Sequence, residues 1–332
     1  MEKLKPCPFC GGEADGRREG VLLRPIKVLS LFDGISCGMV ALERAGIPVE
    51  RYVAYEIDKY AIKVSEKNYP QIEHCGDVFD GDFTQYKGFD LLIGGSPCTY
   101  WSVAKKRRET TPDGIGGQLF MQYVRALKES GARWFLYENV NSMRKEIRAF
   151  ITEQLGVEPI MINSALVSAQ QRKRLYWTNI PNVIQPEDKG ILLKDILMGG
   201  VAFNVKSYTI DAQYMKGSSL KHTFEKHNRT LVAEPVRVGE VGKYQSDRVY
   251  SVEGKSVSIK ANGGGAKPGL YQIDLPDGDY IIRKLTPIEA ERLQTLPDDY
   301  TAGISNTQRY KCIGNGWTVD VVSHILKGMK EE

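Results

Sequence analysis

The sequence predicts an α/β protein, a doubly wound, mostly parallel sheet with a small β-rich domain inserted late in the chain. Three observations carry this expectation. Apolar runs alternate with helical stretches from residue 26 to about 178, the rhythm of strand–helix–strand units. That rhythm stops after Tyr176-Trp177-Thr178 and gives way to short β-like runs between turn-formers. Helical periodicity returns at Thr286 and holds nearly to the end. A chain of 332 residues has room for one large α/β domain and a smaller one.

Each element has a local reason. Ile26-Lys-Val-Leu-Ser-Leu-Phe32 is a largely apolar run, as expected of a strand covered on both faces. A glycine-bearing turn, Asp33-Gly-Ile-Ser-Cys-Gly38, follows it; Met39, Leu42 and Ala45 then continue at helical spacing until Gly46 stops the helix. Tyr52-Val-Ala-Tyr55 is a second strand, ending in Glu56 and Asp58 before a helix that reaches Tyr69-Pro70. The alternation continues through a strand over 89–93, a helix over 118–129, a strand over 134–138 and a helix after Met143. Beyond Thr178, Val249-Tyr-Ser-Val252 and Ser256-Val-Ser-Ile-Lys260 are strand-like, with Asn262-Gly-Gly-Gly265 and Pro268-Gly269 as turns. Thr286 can cap a helix whose first turn holds Pro287, and a last helix runs over about 319–329.

Lys and Arg number 45 against 41 Asp and Glu, a net charge of +4, so any surface for a polyanion must be local. One stretch qualifies: between Phe203 and Gln272 there are eleven Lys/Arg and six Asp/Glu. No uncharged apolar stretch reaches the roughly 18 residues a membrane helix needs, and Met1-Glu-Lys-Leu-Lys5 lacks the apolar core of a signal peptide. The six cysteines show no disulfide-like spacing, so a cytosolic chain with reduced thiols is the expectation. Cys7-Pro-Phe-Cys10 has zinc-knuckle spacing and resembles the opening of small phage zinc-ribbon proteins, but a structural zinc wants four ligands and no second such pair exists. No metal site is therefore assigned. Residues 13–24 are polar and read as a linker.

The chemistry concentrates at expected strand ends. Gly94-Gly-Ser-Pro-Cys98 presents a thiol just after a buried strand, where a nucleophile is both exposed and held. Glu138-Asn139-Val140 ends the next apolar run and offers an acid beside it. The turn Phe32-Asp33-Gly34-Ile-Ser36 follows the first strand, where doubly wound folds bind nucleotides, although no full GxGxxG is present. Glu56, about twenty residues on, suits ribose hydroxyls, and Asp77 suits an adenine amino group. The plain alternatives are a buried structural thiol for Cys98 and helix-capping acids for Glu56, Asp77 and Glu138.

Phe32-Asp-Gly34, Glu56-Ile-Asp58, Gly76-Asp77, Ser96-Pro-Cys98, Glu138-Asn-Val140, Gln170-Gln-Arg172-Lys-Arg174 and Gly314-Asn-Gly316 fall in the order and spacing of the DNA (cytosine-5)-methyltransferases. The chain resembles a compact phage or bacterial member of that family, and its Phe-Asp-Gly turn and Ser-Pro-Cys also resemble the catalytic domains of animal de novo methyltransferases. The resemblance covers roughly residues 26–180 and 283–326. It implies the S-adenosylmethionine-dependent methyltransferase fold, with a discontinuous catalytic domain over 25–180 plus 283–332, a target-recognition domain over 181–282, and an extension over 1–24.

The resemblance further implies that Cys98 adds to carbon 6 of a flipped cytosine in double-stranded DNA, that Glu138 contacts the ring at N3, that Arg174 holds its O2, and that Arg172 helps orient the Cys98 loop. The methyl group would come from S-adenosylmethionine, bound by Phe32, Asp33, Gly34, Ser36, Glu56, Ile57, Asp77, Asn315 and Trp317. Two positions depart from the family pattern: Ser36 replaces the second glycine of the usual turn, and Gly316 stands where serine or alanine is common. After Cys98, Ser102 and the run Lys105-Lys106-Arg107-Arg108 would face DNA on a closing loop; for such a run a solvated face is the plain alternative. The expected setting is the bacterial host cytosol and the expected state a monomer. A tRNA cytosine-5 methyltransferase, and an inert DNA-binding protein that keeps the fold, are the rival readings. Phage self-protection and restriction–modification both suit the chain, and the target sequence is not legible in it.

Overall fold

The computed structural model describes residues 24–103, 107–202, 204–212, 214, 229–235 and 280–330. In chain order the main elements are β1 (Ile26–Leu31), α1 (Cys37–Ala45), β2 (Val49–Tyr55), α2 (Lys59–Asn68), β3 (Glu73–His74), β4 (Leu91–Gly94), α3 (Ile115–Ser130), β5 (Trp134–Val140), α4 (Lys145–Leu155), β6 (Ile160–Asn163) and β7 (Lys173–Thr178). There follow α5 (Leu193–Ile196), β8 (Val201–Ala202), β9 (Leu231–Pro235), β10 (Tyr280–Lys284), α6 (Pro287–Leu293), α7 (Asn306–Asn315) and α8 (Val319–Leu326).

Strands β1 to β7 form one sheet in the order β3-β2-β1-β4-β5-β7-β6. Pairings through β5 are parallel, whereas β7 runs antiparallel to both β5 and β6. Successive strand residues alternate between two cores, as the period of two requires. Val28, Ala54, Ile93 and Leu136 face the layer built by α1 and α8, where Val40, Leu42, Val322 and Ile325 are buried. Leu29, Val53, Leu92 and Phe135 face the opposite layer, with Phe120 and Tyr123 of α3 and Ile147 and Ile151 of α4. Burial on both faces is why these strands read as apolar runs.

The expected caps are present. Gly46 closes α1 in the left-handed region at φ 64°. Thr286 Oγ1 accepts from the Glu289 N–H at 3.2 Å, while a Glu289 carboxylate oxygen accepts from the Thr286 N–H at 2.8 Å, a reciprocal capping box with Pro287 in the first turn. Beyond the main sheet, β8, β9 and β10 make a small antiparallel sheet. A third core, including Ile210, Tyr214, Val232, Leu285, Leu293 and Tyr310, joins this region to α6 and α7. Strand β10 spans the division expected between 282 and 283. Most of 181–282, including the strand-like runs near 250 and 256, lies outside the described residues, as does Cys7-Pro-Phe-Cys10.

The strand order fixes where a ligand fits. From β1 the chain steps outward to β2 and β3, and it resumes on the other side with β4 and β5. The crevice at the carboxyl ends of β1 and β4 is therefore the topological switch point, where open α/β sheets bind their ligands. The Phe32 turn leaves β1 there and the Cys98 turn leaves β4 beside it.

Candidate active site

The turn after β1 is built around two acids. Phe32, Gly34 and Ser36 all have positive φ, at 57°, 62° and 58°. This explains why glycine is the usual occupant at position 36: a side chain there costs backbone energy. Ser36 offsets that cost through its hydroxyl, which contacts Asp33 Oδ2 at 2.5 Å and Ser65 Oγ at 2.6 Å. Ser30 and Tyr52 hydroxyls both donate to the other Asp33 oxygen at 2.6 Å. The Asp33 carboxylate thus holds the turn from beneath, and burial pushes its pKa up.

Glu56, at the end of β2, accepts from the Gly34 N–H on Oε2 and from the Ile57 and Asp58 N–H groups on Oε1, each at 2.8 Å. Burial raises its pKa, opposed by these donors. A carboxylate has about four acceptor positions, so Oε2 keeps one for a ligand hydroxyl. Ile57 beside it is 72% exposed. Asp77 caps a short 3-10 turn by accepting from the Phe79 N–H at 3.0 Å.

The Cys98 turn is tied to β5. Ser96 Oγ lies 2.7 Å from Tyr137 Oη, and Asn139 Nδ2 donates to the Ser96 carbonyl at 3.2 Å. Gly95 lets this turn pass close to β5: a Cβ there would sit 2.8 Å from the Glu138 carbonyl and 3.1 Å from Glu138 Oε2. Burial pushes the Cys98 thiol above its ordinary pKa; Arg174 and Arg172 pull it down and Glu138 pushes it up.

Glu138 and Arg174 are diagonal neighbours on one face of the β5–β7 pair, since Glu138 opposes Tyr176 and Val140 opposes Arg174. Arg174 Nε is 2.9 Å from Glu138 Oε1, with both side chains only 12% and 11% exposed. The Trp317 indole N–H donates to Glu138 Oε2 at 3.1 Å.

Arg172 differs from expectation. Its hydrogen bonds go to the carbonyls of Ile210, Gly314 and Gly316, at 2.9, 3.2 and 2.9 Å. It therefore braces the segment that returns Asn315 and Trp317 to the site, while Asn139 holds the Cys98 turn. Burial, with Arg174 nearby, lowers Arg172 to about 10, which leaves it charged at neutral pH.

One cleft of about 310 Å³ collects these groups: Phe32, Asp33, Gly34 and Glu56 at one end, Cys98, Glu138, Arg172 and Arg174 at the other, with Asn315 and Trp317 alongside. Ser36, Ile57 and Asp77 are not in its lining. Lys311 and Asp58, paired at 2.6 Å, also line it; Asp58 is part of the Glu56-Ile-Asp58 motif, but Lys311 and the pairing went unread in the sequence, because 253 residues separate the two.

On the loop after Cys98, Arg107 is exposed and Ser102 half-buried, while Lys105 and Lys106 lie outside the described residues. Arg108 turns inward, its Nη1 donating to the carbonyls of Ser142 at 2.6 Å and Trp101 at 3.3 Å. Among the described residues no group of His, Cys, Asp and Glu is arranged to hold a metal, and no helix is long and apolar enough to cross a membrane.

The family model for C-5 cytosine-specific DNA methylases matches residues 26–331. The chain belongs to that family. The orphan methyltransferase M.SPRI of Bacillus phage SPR is 28% identical over 426 residues, spanning 91% of this chain and 97% of that protein. The type II methyltransferase M.HhaI of Haemophilus parahaemolyticus is 28% identical over 331 residues, spanning 91% and 94%. The Entamoeba histolytica methyltransferase EhMeth shares the fold with a TM-score of 0.66 at 14% identity, over 92% of this chain and 98% of that one. This methylase is thus an enzyme of cytosine-5 DNA methylation, and its family implies S-adenosylmethionine as methyl donor.

Proposed function

We propose that this cleft methylates carbon 5 of a cytosine flipped out of double-stranded DNA, with Cys98 as nucleophile. One observation carries the reading: Cys98, Glu138 and Arg174 line the same cleft as the Phe32–Glu56 turn, at adjacent ends of the switch-point strands. The residues fit an adenosyl group, with Phe32 in the lining and a free acceptor position on Glu56 Oε2 for ribose. Asn315 and Trp317 would close the far side. Ile57, exposed next to Glu56, would cover the adenine, and Asp77, whose Oδ1 caps the 3-10 turn, would offer its other oxygen to the amino group. S-adenosylmethionine, when bound, supplies an electrophilic methyl group.

The chain's own residues do the rest. Inside a duplex, carbon 6 is out of reach, so the base must leave the stack. Cys98 loses its thiol proton to solvent as its sulfur bonds to carbon 6; the 5,6 double bond opens, and its electron pair makes carbon 5 nucleophilic. Glu138 holds or delivers a proton at N3, which absorbs the negative charge that develops on the ring. Arg174 donates to O2. After methyl transfer the carbon 5 proton leaves to a base, and the sulfur–carbon bond breaks to restore both ring and thiol.

Arg107, Lys105 and Lys106 would contact phosphates, Arg108 after releasing its carbonyls, and Ser102 would fill the gap left by the base. The region over 181–282 would read sequence in the major groove, inserted into a catalytic unit of 25–180 plus 283–332. The phage and bacterial sources of the relatives support a host-cytosol setting, and a monomer is the working state. Tritium transfer from labelled S-adenosylmethionine tests the reading on duplex DNA and on tRNA in parallel. Duplex DNA is expected to be labelled by wild type and not by Cys98→Ser; label on tRNA alone, or unchanged label in the variant, would overturn it.

A further inference from the structure

We propose that Trp317 is a positioning residue for Glu138, so that the segment closing the cofactor end of the cleft also sets the acid at the base end. This rests on the proposed role of Glu138. Glu138's terminal torsion is intrinsically broad, so a lone partner would leave its carboxylate free to rotate. Here two donors hold opposite oxygens: Arg174 Nε on Oε1 at 2.9 Å and Trp317 Nε1 on Oε2 at 3.1 Å. The wall beside them is bare backbone, since a Cβ on Gly95 would lie 3.1 Å from Oε2 and 3.5 Å from the indole nitrogen.

Trp317 is itself fixed. Arg172 binds the Gly314 and Gly316 carbonyls immediately before it, and Gln294 Nε2 donates to the Ile313 carbonyl at 2.9 Å. The indole nitrogen can only donate. It therefore donates to Oε2 and, with Arg174 on Oε1, holds the carboxylate plane against rotation. Oε2 keeps an acceptor position toward the cleft, so the same oxygen remains available to the base.

The test has a structural and a kinetic arm on the full-length chain. The protein has four tryptophans, and the 15N-indole signal lost in Trp317→Phe identifies this one. In wild type that signal should lie downfield, as for an indole N–H donating to a carboxylate, and Glu138→Gln should move it upfield. In Trp317→Phe, which keeps an aromatic ring, kcat for methyl transfer should fall about tenfold, the effect of one hydrogen bond. The fall in kcat should exceed any rise in KM for S-adenosylmethionine, to which Trp317 also contributes.

A Trp317 signal indifferent to Glu138→Gln overturns the proposal, as does an unchanged kcat in Trp317→Phe. So does a defect confined to KM for the methyl donor, because the indole would then serve only the cofactor. A wild-type chain that leaves DNA unlabelled while its Trp317 signal responds to Glu138→Gln would instead count against the functional reading, with the contact intact.

Discussion

Cys98 sits in surroundings that oppose its thiolate, since burial raises its pKa and Glu138 adds to the rise, with Arg174 and Arg172 pulling the other way. The free enzyme therefore keeps the thiol protonated at neutral pH, and reactivity grows as pH climbs toward the raised value. Iodoacetamide labelling of Cys98, followed by peptide mass spectrometry, measures this directly. Glu138→Gln removes a negative neighbour and should lower the labelling midpoint, while Arg174→Ala should raise it; movement of either midpoint in the opposite direction contradicts the electrostatics. Cys98 and Glu138 were legible in the sequence because each follows a short apolar run that marks a strand. The Trp317–Glu138 contact was not, since 179 residues separate its partners and no local pattern encodes such a pairing.

At the scale of elements, α6 is the joint on which the returning segment hangs. Glu291 on it is fully buried and accepts from the Asp299 and Thr301 N–H groups at 2.8 Å, from the Thr301 hydroxyl, and from Arg309 Nη2 at 2.9 Å. Glu291→Ala leaves Arg309, only 11% exposed, with Asp299 as its remaining ionic partner and orphans two amides, a loss of about 2–3 kcal/mol. Urea unfolding should register this as a lower midpoint, and a change below 1 kcal/mol would mean that the network contributes little. Thr286 and Pro287 announced this helix in advance, because capping chemistry is local. The antiparallel run of β7 was not announced: the apolar pattern of Leu175-Tyr-Trp177 records burial, which is the same for either direction. Yet that direction is what brings Arg174 diagonally beside Glu138.

Across the whole molecule, function depends on order at the sheet's centre. β1 and β4 are neighbours in space but not in sequence, and this places the expected methyl-donor turn next to the nucleophile turn. The last helices then pack back, α8 against α1, and carry Asn315 and Trp317 to the same cleft. The doubly wound class was readable from periodicity alone. Closure by the C-terminal segment rests on long-range contacts such as Arg172 to Gly316, which periodicity does not carry.

Trapping on duplex DNA containing 5-fluorocytosine tests the central claim most directly, because fluorine at carbon 5 cannot leave as a cation and the sulfur adduct persists. With S-adenosylmethionine present, a denaturation-resistant complex should form whose crosslinked peptide contains Cys98, and Cys98→Ser should form none. A wild-type enzyme that methylates ordinary duplex DNA yet yields no such complex, or a crosslink mapped to another residue, would contradict the account.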